Sequence, residues 1–540
     1  MEESIKELTM AAFDRFSDMP EHIVHRIMSF LPTTSATRVS ALSKNFNSVW
    51  LSYPVFDFDQ ALYEEVIRPS GDRTSCEKPD FLDFVLDSLK KHCPSNIYMQ
   101  RFSLRVWPHE ISDNRIQNSI RLAVDRNVKE LVVEIEGLQD NLALQNDELV
   151  VEMEENDELV VEIEGLENNY CSLPRSALQN AKSLSVLKLS GFSLELEDLI
   201  PCLNLVEDLS LESCSVSANF MLSSDKLTYL NLRFCKGLEK IEIDALNLQS
   251  FSYTACHNEQ RPCEINLSRC KNLKSLIIEG SAISDDWLEY QVPKFVLLRN
   301  LKLIACRNLQ KFEIVGLNLQ SFSYTAYDIE QHPCEINLSC KNLKSLTIEK
   351  SNITDDWVKD YVSKLVLLRN LKLVACKNLQ KIKISNRQLG SFELVGCEKL
   401  LKAKIEAPNL ISFDYSGNIL DTASPPKIIL LCSTLAHVKL SLTTTGKTTN
   451  SLNLSSLLTR FGHSKTLSLS LESDQDLIFP EKVRKYLVHP LLDLRHMRVE
   501  LWSLSSLTGL VDGLLWLAPN LETMFISVEA ALESEPLMVK

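Results

Sequence analysis

The stretch Leu297–Cys306, LLRNLKLIAC, returns at Leu367–Cys376 as LLRNLKLVAC. Leu298, Leu301, Leu303 and Cys306 set a spacing that Leu368, Leu371, Leu373 and Cys376 repeat. The same spacing occurs at Val206, Leu209, Leu211, Cys214, at Leu227, Leu230, Leu232, Cys235, and at Leu389, Phe392, Leu394, Cys397. Apolar residues separated by one position fall on the same side of an extended chain. Each unit therefore reads as a short strand with its apolar side inward. The first Leu turns the chain in, and the Cys turns it out. A small Cys fits inside such a turn and can satisfy backbone groups there. Ser281 and Ser351 hold the same phase. Cysteines that recur at one repeat position read as wall residues, because catalysis or zinc binding needs clustered ligands.

The pattern is similar to that of leucine-rich repeats, which stack into a solenoid. Some strand patterns come at half the usual spacing, as at Leu227, Leu238 and Leu248. They fit either a strand on the outer face or a very short repeat. A larger duplication lies over this one. Leu246–Cys306 matches Leu317–Cys376 through LNLQSFSYTA, PCEINLS, KNLKSL and LLRNLKL. Solenoids tolerate a copied block because each repeat touches only its neighbours. Asp285-Asp286 and Asp355-Asp356 could suggest a metal or acid–base pair. Ser284 and Thr354 precede them and apolar helical runs follow, so a hydroxyl N-cap with carboxylates in the first turn accounts for both.

A different pattern opens the chain. Phe16–Asp59 reads FSDMPEHIVHRIMSFLPTTSATRVSALSKNFNSVWLSYPVFDFD. Ile23, Val24, Ile27, Met28, Phe30 and Leu31 follow a helical period between Pro20 and Pro32, and Asp18 stands where a carboxylate can cap the helix. Shorter helices are predicted over 35–42 and 43–51. About forty residues bury little core alone, so part of this apolar surface must dock elsewhere. Asp18-Met19-Pro20, Ile23, Ile27, Phe30-Leu31-Pro32, Arg38-Val39-Ser40, Leu42-Ser43-Lys44, Trp50 and Val55–Asp59 together resemble a plant-type F-box. The family usually has Leu where this chain has Met19, and a basic residue and Trp where it has Asn45-Phe46. The resemblance implies docking onto a Skp-type adaptor and, through it, a cullin scaffold. The adaptor-binding residues it implies are Met19, Pro20, Ile23, Ile27, Leu31, Val39 and Leu42. His22 and His25 share the first helix, but no third or fourth metal ligand joins them.

Gln60–Pro79 reads as a connector. Phe81, Phe84, Val85 and Leu89 fall at helical spacing, and a strand, a helix and a strand follow over 97–107, 111–126 and 128–135, suited to the capped start of a solenoid. Between Leu131 and Pro174 there is no Lys or Arg, and NDELVVEME and NDELVVEIE stand side by side as an acidic duplication. Past Leu400 the repeat pattern weakens. Leu452–Leu458 and Leu504–Leu517 read as helices, and Asn520–Val528 as a last strand. LVDGLLWLAPNLETMFI resembles the C-terminal piece of plant F-box proteins with leucine-rich repeats, here read as an end cap.

Across 540 residues the formal net charge is −15, which disfavours nucleic-acid and anionic-membrane partners. Fifteen cysteines without a signal peptide read as reduced thiols, in the nucleus or cytoplasm. No phosphate-cradling glycine loop and no zinc or triad spacing is present, so the chain reads as a non-catalytic protein without cofactor or metal. The expected fold is α/β. A helical F-box (12–59) and a connector with helix (60–96) lead into a leucine-rich-repeat solenoid (97–440). An acidic insertion lies near 138–168, and C-terminal repeats and a cap (441–540) close the chain. The resemblance, now spanning both ends, implies a substrate-recognition subunit of an SCF-type ubiquitin ligase. The alternative is a leucine-rich scaffold or inhibitor with a degenerate F-box. Periodicity points Lys188, Arg233, Glu242, Lys302, Glu313 and Lys372 outward from their strands, which makes them candidates for contact with a protein substrate.

Overall fold

The computed structural model describes residues 19–40, 44–67, 80–91, 98–108, 114–136, 170–173, 177–256, 262–327, 335–418, 426–443, 454, 457–479, 484, 491–528 and 537–539. Contacts divide the chain into two units, Met1–Leu273 and Lys274–Lys540. Asp18, Leu42 and the whole of the acidic duplication lie outside the described residues.

The first unit opens with α1 (Glu21–Met28), α2 (Thr33–Ser40) and α3 (Lys44–Ser52). Pro20 enters α1 with φ −58°, a value its ring already fixes. α1 buries Val24 and Met28 completely and packs on α3, whose Trp50 is 1% exposed. The chain then extends as β1 (Val55–Asp59). This strand pairs in parallel with β2 (Arg101–Val106), placing Phe56 beside Phe102 and Phe58 beside Leu104. The last piece of the F-box pattern is thus also a rung of the repeat sheet.

Gln60 begins a helix, α4 (Gln60–Ile67), where the sequence suggests only a connector. Asp59 Oδ1 accepts the Leu62 amide at 3.1 Å and so helps start the helix. Tyr63 then inserts between Phe81 and Phe84, with ring centroids 5.2 and 5.1 Å away. Both contacts come from residues far along the chain, beyond the reach of a local pattern. α5 (Phe81–Lys91) packs on α6 (Asn114–Asp125), and β3 (Glu130–Ile135) joins β2 in register.

From β3 the ladder continues through Val186–Ser190, Asp208–Glu212, Tyr229–Arg233 and Ser250–Thr254, all parallel. Leu187, Leu209, Leu230 and Phe251 form one buried row, and Leu189, Leu211, Leu232 and Tyr253 the next. The half-spaced patterns resolve as back strands. Leu238 leads into Lys240–Asp244, which pairs with Asn219–Ser223 on one side and Glu264–Asn266 on the other. Several coils therefore carry one strand in the long ladder and one in a short sheet behind it.

The second unit repeats this plan. Its long ladder runs in parallel from Ser275–Glu279 to Thr523–Val528, where Leu537–Val539 closes the edge in antiparallel pairing. Lys311–Val315 with Glu335–Ser339 forms one back sheet, and Lys381–Ser385, Lys402–Glu406 and Lys427–Leu431 form another. The duplicated blocks give matching elements: Ser250–Thr254 and Ser321–Thr325, then Asp285–Gln291 and Asp355–Val362. Ser284 Oγ and Thr354 Oγ1 accept the amides of Trp287 and Trp357, each at 3.3 Å, so both are N-caps. Asp285 and Asp355 do more than meet the helix dipole. Asp285 accepts the Lys311 amide at 2.9 Å and Asp355 the Lys381 amide at 2.8 Å, pinning each helix to the next back strand.

The turn cysteines form a ladder. Cys214 donates to Leu189 O at 3.5 Å, Cys235 to Leu211 O at 3.3 Å, and Cys376 to Ile348 O at 3.7 Å. Each bond reaches a strand one coil earlier. The residue before the thiol turns the chain inward: Ser213, Phe234, Ala305 and Ala375 have φ of 48, 51, 49 and 49°. Such left-handed backbone costs on the order of 1 kcal/mol for a residue with a Cβ. Here each of those residues keeps its amide bonded to the following strand, as Ala375 does to Val395 O at 2.8 Å. Burial pushes the Cys214 thiol up to about 12 and the Cys340 thiol to about 11, so both stay protonated. A second ladder escaped the sequence reading. Asn247, Asn318, Asn342, Asn409 and Asn520 each donate through Nδ2 to a carbonyl one coil back, at 2.7 to 2.9 Å. The recurring Asn-Leu dipeptide was its signal.

Asp474 ties two coils near the C-terminal end. Its buried carboxylate accepts Ser505 Oγ at 2.7 Å, the Ser505 amide at 3.0 Å and the Ser506 amide at 2.7 Å. Burial alone raises a carboxyl, but these bonds overcome it and hold Asp474 below the ordinary value of 3.8. A depressed carboxyl contributes stability that is fully present above its unfolded value and is lost as pH falls through its folded one. Asp474→Ala should therefore cost about 3 kcal/mol at neutral pH by stranding three donors. Urea titrations should show that difference shrinking as the pH drops below the ordinary value. A pH-independent difference would rule the ionised carboxylate out as its source.

Candidate interaction surfaces

α1 has two apolar sides. Val24 and Met28 face the protein and are fully buried, whereas Ile23 is 38% exposed and Phe30, just past the helix, is 77% exposed. Met19, Ile27, Leu31 and Val39 are half-buried and Pro20 is exposed. Intramolecular packing thus occupies Val24 and Met28 and leaves Ile23 and Phe30 on the surface. Phe30 was absent from the expected contact set, although its place in Phe-Leu-Pro at the helix end was a signal.

The family departure at Phe46 falls on the packed side, where this ring is 4% exposed. It changes the interior and not the exposed face. His25 is also committed to the fold. Its Nε2 lies 3.3 Å from both Val49 O and Ser52 Oγ, and its ring is 5.4 Å from that of Tyr53.

The six candidate substrate residues do not share one surface. Lys188 and Arg233 stand on the long ladder of the first unit, and Lys302 and Lys372 on that of the second, as the alternation requires. Glu242 and Glu313 stand on back strands, Lys240–Asp244 and Lys311–Val315. Period-2 alternation marks an outward side chain without saying which of the two sheets carries it, so the six residues read alike. Four of the six are also mated: Lys188 with Asp208 at 3.6 Å, Arg233 with Glu212 at 3.0 Å, Glu242 with Lys240 at 3.2 Å, and Lys372 with Glu349 and Glu393, each at 3.6 Å. Lys302 has no ion-pair partner among the described residues.

In the first unit the ladder face forms a polar cleft of about 600 Å³ lined by Arg105, Glu134, Lys188, Ser190, Glu212 and Asn231. Arg105 spans three strands, 3.6 Å from Asp57, 3.1 Å from Asp59 and 3.0 Å from Glu134. Burial works against its charge, but these carboxylates more than offset it and hold the guanidinium above its ordinary range. Burial pushes Glu212 up against the pull of Arg233. Among the described residues no group of three or more His, Cys, Asp or Glu is placed to hold a metal, and no helix is long and apolar enough to cross a membrane.

A helical head whose tail is a rung of a leucine-rich ladder defines an F-box protein with leucine-rich repeats. The F-box family model matches residues 16–58, and the family model described as the At1g61320/AtMIF1 leucine-rich-repeat domain matches 327–539. The Arabidopsis thaliana F-box/FBD/LRR-repeat protein At5g22660 is 26% identical over 378 residues, 62% of this chain and 76% of that protein. The putative F-box/FBD/LRR-repeat protein At4g03220 of the same plant is 25% identical over 289 residues, 50% of this chain and 52% of that protein. Its putative FBD-associated F-box protein At5g56400 is 33% identical over 138 residues, 25% of this chain and 28% of that protein. Both family models and these relatives support a plant F-box/leucine-rich-repeat family for the chain.

Proposed function

We propose that this chain is the substrate-recognition subunit of an SCF-type ubiquitin ligase, working in the nucleus or cytoplasm. Its F-box holds a Skp-type adaptor and, through it, a cullin scaffold. Its repeats hold a protein substrate. The observation that carries the reading is the split character of α1: Val24 and Met28 are buried within the chain, while Ile23 and Phe30 remain on the surface. The chain supplies no reacting group. It raises the local concentration of substrate lysines near the transfer enzyme, which is catalysis by proximity and not by chemistry.

The test is capture of a purified Skp-type adaptor by the full chain, beside the Ile27→Asp, Leu31→Asp double variant. Both side chains are half-buried, so a melting curve must first show that the variant folds. Its affinity should fall by roughly 100-fold or more, because a carboxylate is then desolvated at an apolar contact. Equal capture by both proteins would sink the assignment of the face. Failure of the unaltered chain to hold any adaptor would leave a leucine-rich scaffold or inhibitor as the better description.

A further inference from the structure

The back sheet Lys381–Ser385, Lys402–Glu406, Lys427–Leu431 carries an unusual charge arrangement. In register, Lys381 lies beside Lys402, and Lys402 beside Lys427. In the next outward row Lys383 lies beside Lys404. Lys381, Lys383, Lys402 and Lys427 are exposed and Lys404 is half-buried. Two carboxylates touch this sheet: Glu406 lies 2.6 Å from Lys404 Nζ, and Asp355, at the end of the first strand, accepts the Lys381 amide at 2.8 Å. The hydrogen bond and charge of Lys404, helped by Lys383, hold the Glu406 carboxyl below its ordinary value.

Like charges directly opposite across paired strands destabilise a sheet. The other back sheets avoid this. Lys311 meets Glu335 at 3.0 Å across its pair, Lys240 meets Glu242 at 3.2 Å along its strand, and Arg269 lies 3.8 Å from Asp244. In a chain of net charge −15, a face on which lysine stacks on lysine is a local reversal of sign. It attracts anionic groups that the rest of the surface repels.

We propose that this face is a docking surface for an extended, carboxylate-rich segment of a partner protein. The lysine grid measures about 4.8 Å across strands and about 6.6 Å along them. An extended peptide presents alternate side chains at the latter spacing. The rim favours a peptide over a phosphate polymer: Leu401 is 56% exposed at one end of the grid and Leu431 50% exposed at another. These give apolar side chains a place that a nucleic acid backbone would not use. The surface is independent of the F-box and of the long ladder, so this inference stands apart from the ligase reading.

A fluorescein-labelled decaglutamate peptide is the probe, titrated by anisotropy against the full chain at low salt. The triple variant Lys381→Gln, Lys402→Gln, Lys427→Gln should bind at least tenfold more weakly. Lys311→Gln, on the charge-matched back sheet, should bind like the unaltered chain. Added salt should weaken the wild-type interaction. Melting supplies a readout that needs no partner: Lys402→Gln alone should raise the melting temperature by relieving two like-charge neighbours. Failure of the probe to bind, equal binding by the triple variant, or a lowered melting temperature for Lys402→Gln would overturn the proposal. Tighter binding of a single-stranded oligonucleotide or of phosphatidylserine vesicles through the same lysines would overturn the assigned partner class.

Discussion

Phe58→Ala should destabilise the first unit by about 4 kcal/mol, near the top of the range for core truncations. Phe58 is fully buried. Its ring stacks on Phe56 at 6.0 Å, meets the edge of Phe84 at 5.9 Å and lies 6.1 Å from Phe102. Those partners come from β1, α5 and β2, so one truncation opens a void bordered by all three. The structure makes a sharper statement than a loss of stability. Amide exchange should show α1–α3 and β2 losing protection together in this variant. Helices that lose protection while Arg101–Val106 keeps it would mean that β1 is not a true rung of the sheet.

Gly513→Ala should be nearly as damaging, at about 3 kcal/mol. The sign runs against local propensity, because Gly513 lies within the helix Leu507–Leu517. Alanine inside a helix is ordinarily better than glycine by about 1 kcal/mol. Here a Cβ would overlap the Leu477 carbonyl oxygen and lie 3.6 Å from Phe479 Cδ2. The obstacle is backbone, so neither side can give way without moving the helix off its coil. Gly390→Ala is the matched control, since its Cβ would meet the Arg369 carbonyl oxygen at an ordinary 3.7 Å. Thermal melts of the two variants should separate widely. A Gly513→Ala protein that melts with or above the unaltered chain would refute the close approach.

How much of this the sequence revealed depends on the range of the interaction. The Leu and Cys phases are local and repeated, so strands such as Asn300–Ile304 and the thiol ladder could be read directly. The caps at Ser284 and Thr354 were equally local. α4 was missed because its support comes from Phe81 and Phe84, and because Gln60–Ile67 has few neighbours of its own kind. Glu242 and Glu313 were grouped with Lys302 because alternation cannot distinguish a ladder strand from a back strand. The lysine grid stayed hidden for a related reason. Lys381, Lys402 and Lys427 are scattered in sequence, and only the register of three strands sets them side by side. At the F-box the apolar period was visible. Which residues turn inward was settled by packing, with Val24 and Met28 taken into the fold and Phe30 left out.

The strand Val55–Asp59 has one more consequence. It belongs at once to the helical head and to the first rungs of the ladder, so within this unit there is no joint between them. A head on a flexible tether sweeps a volume, and cargo held by the ladder would be offered at many positions. Under the proposed function, a head cast in one piece with those rungs would hold its cargo along a fixed vector. Lysines at one height above those first rungs would then be presented repeatedly, and lysines a turn away hardly at all. The junction would act as a ruler as well as a fastening.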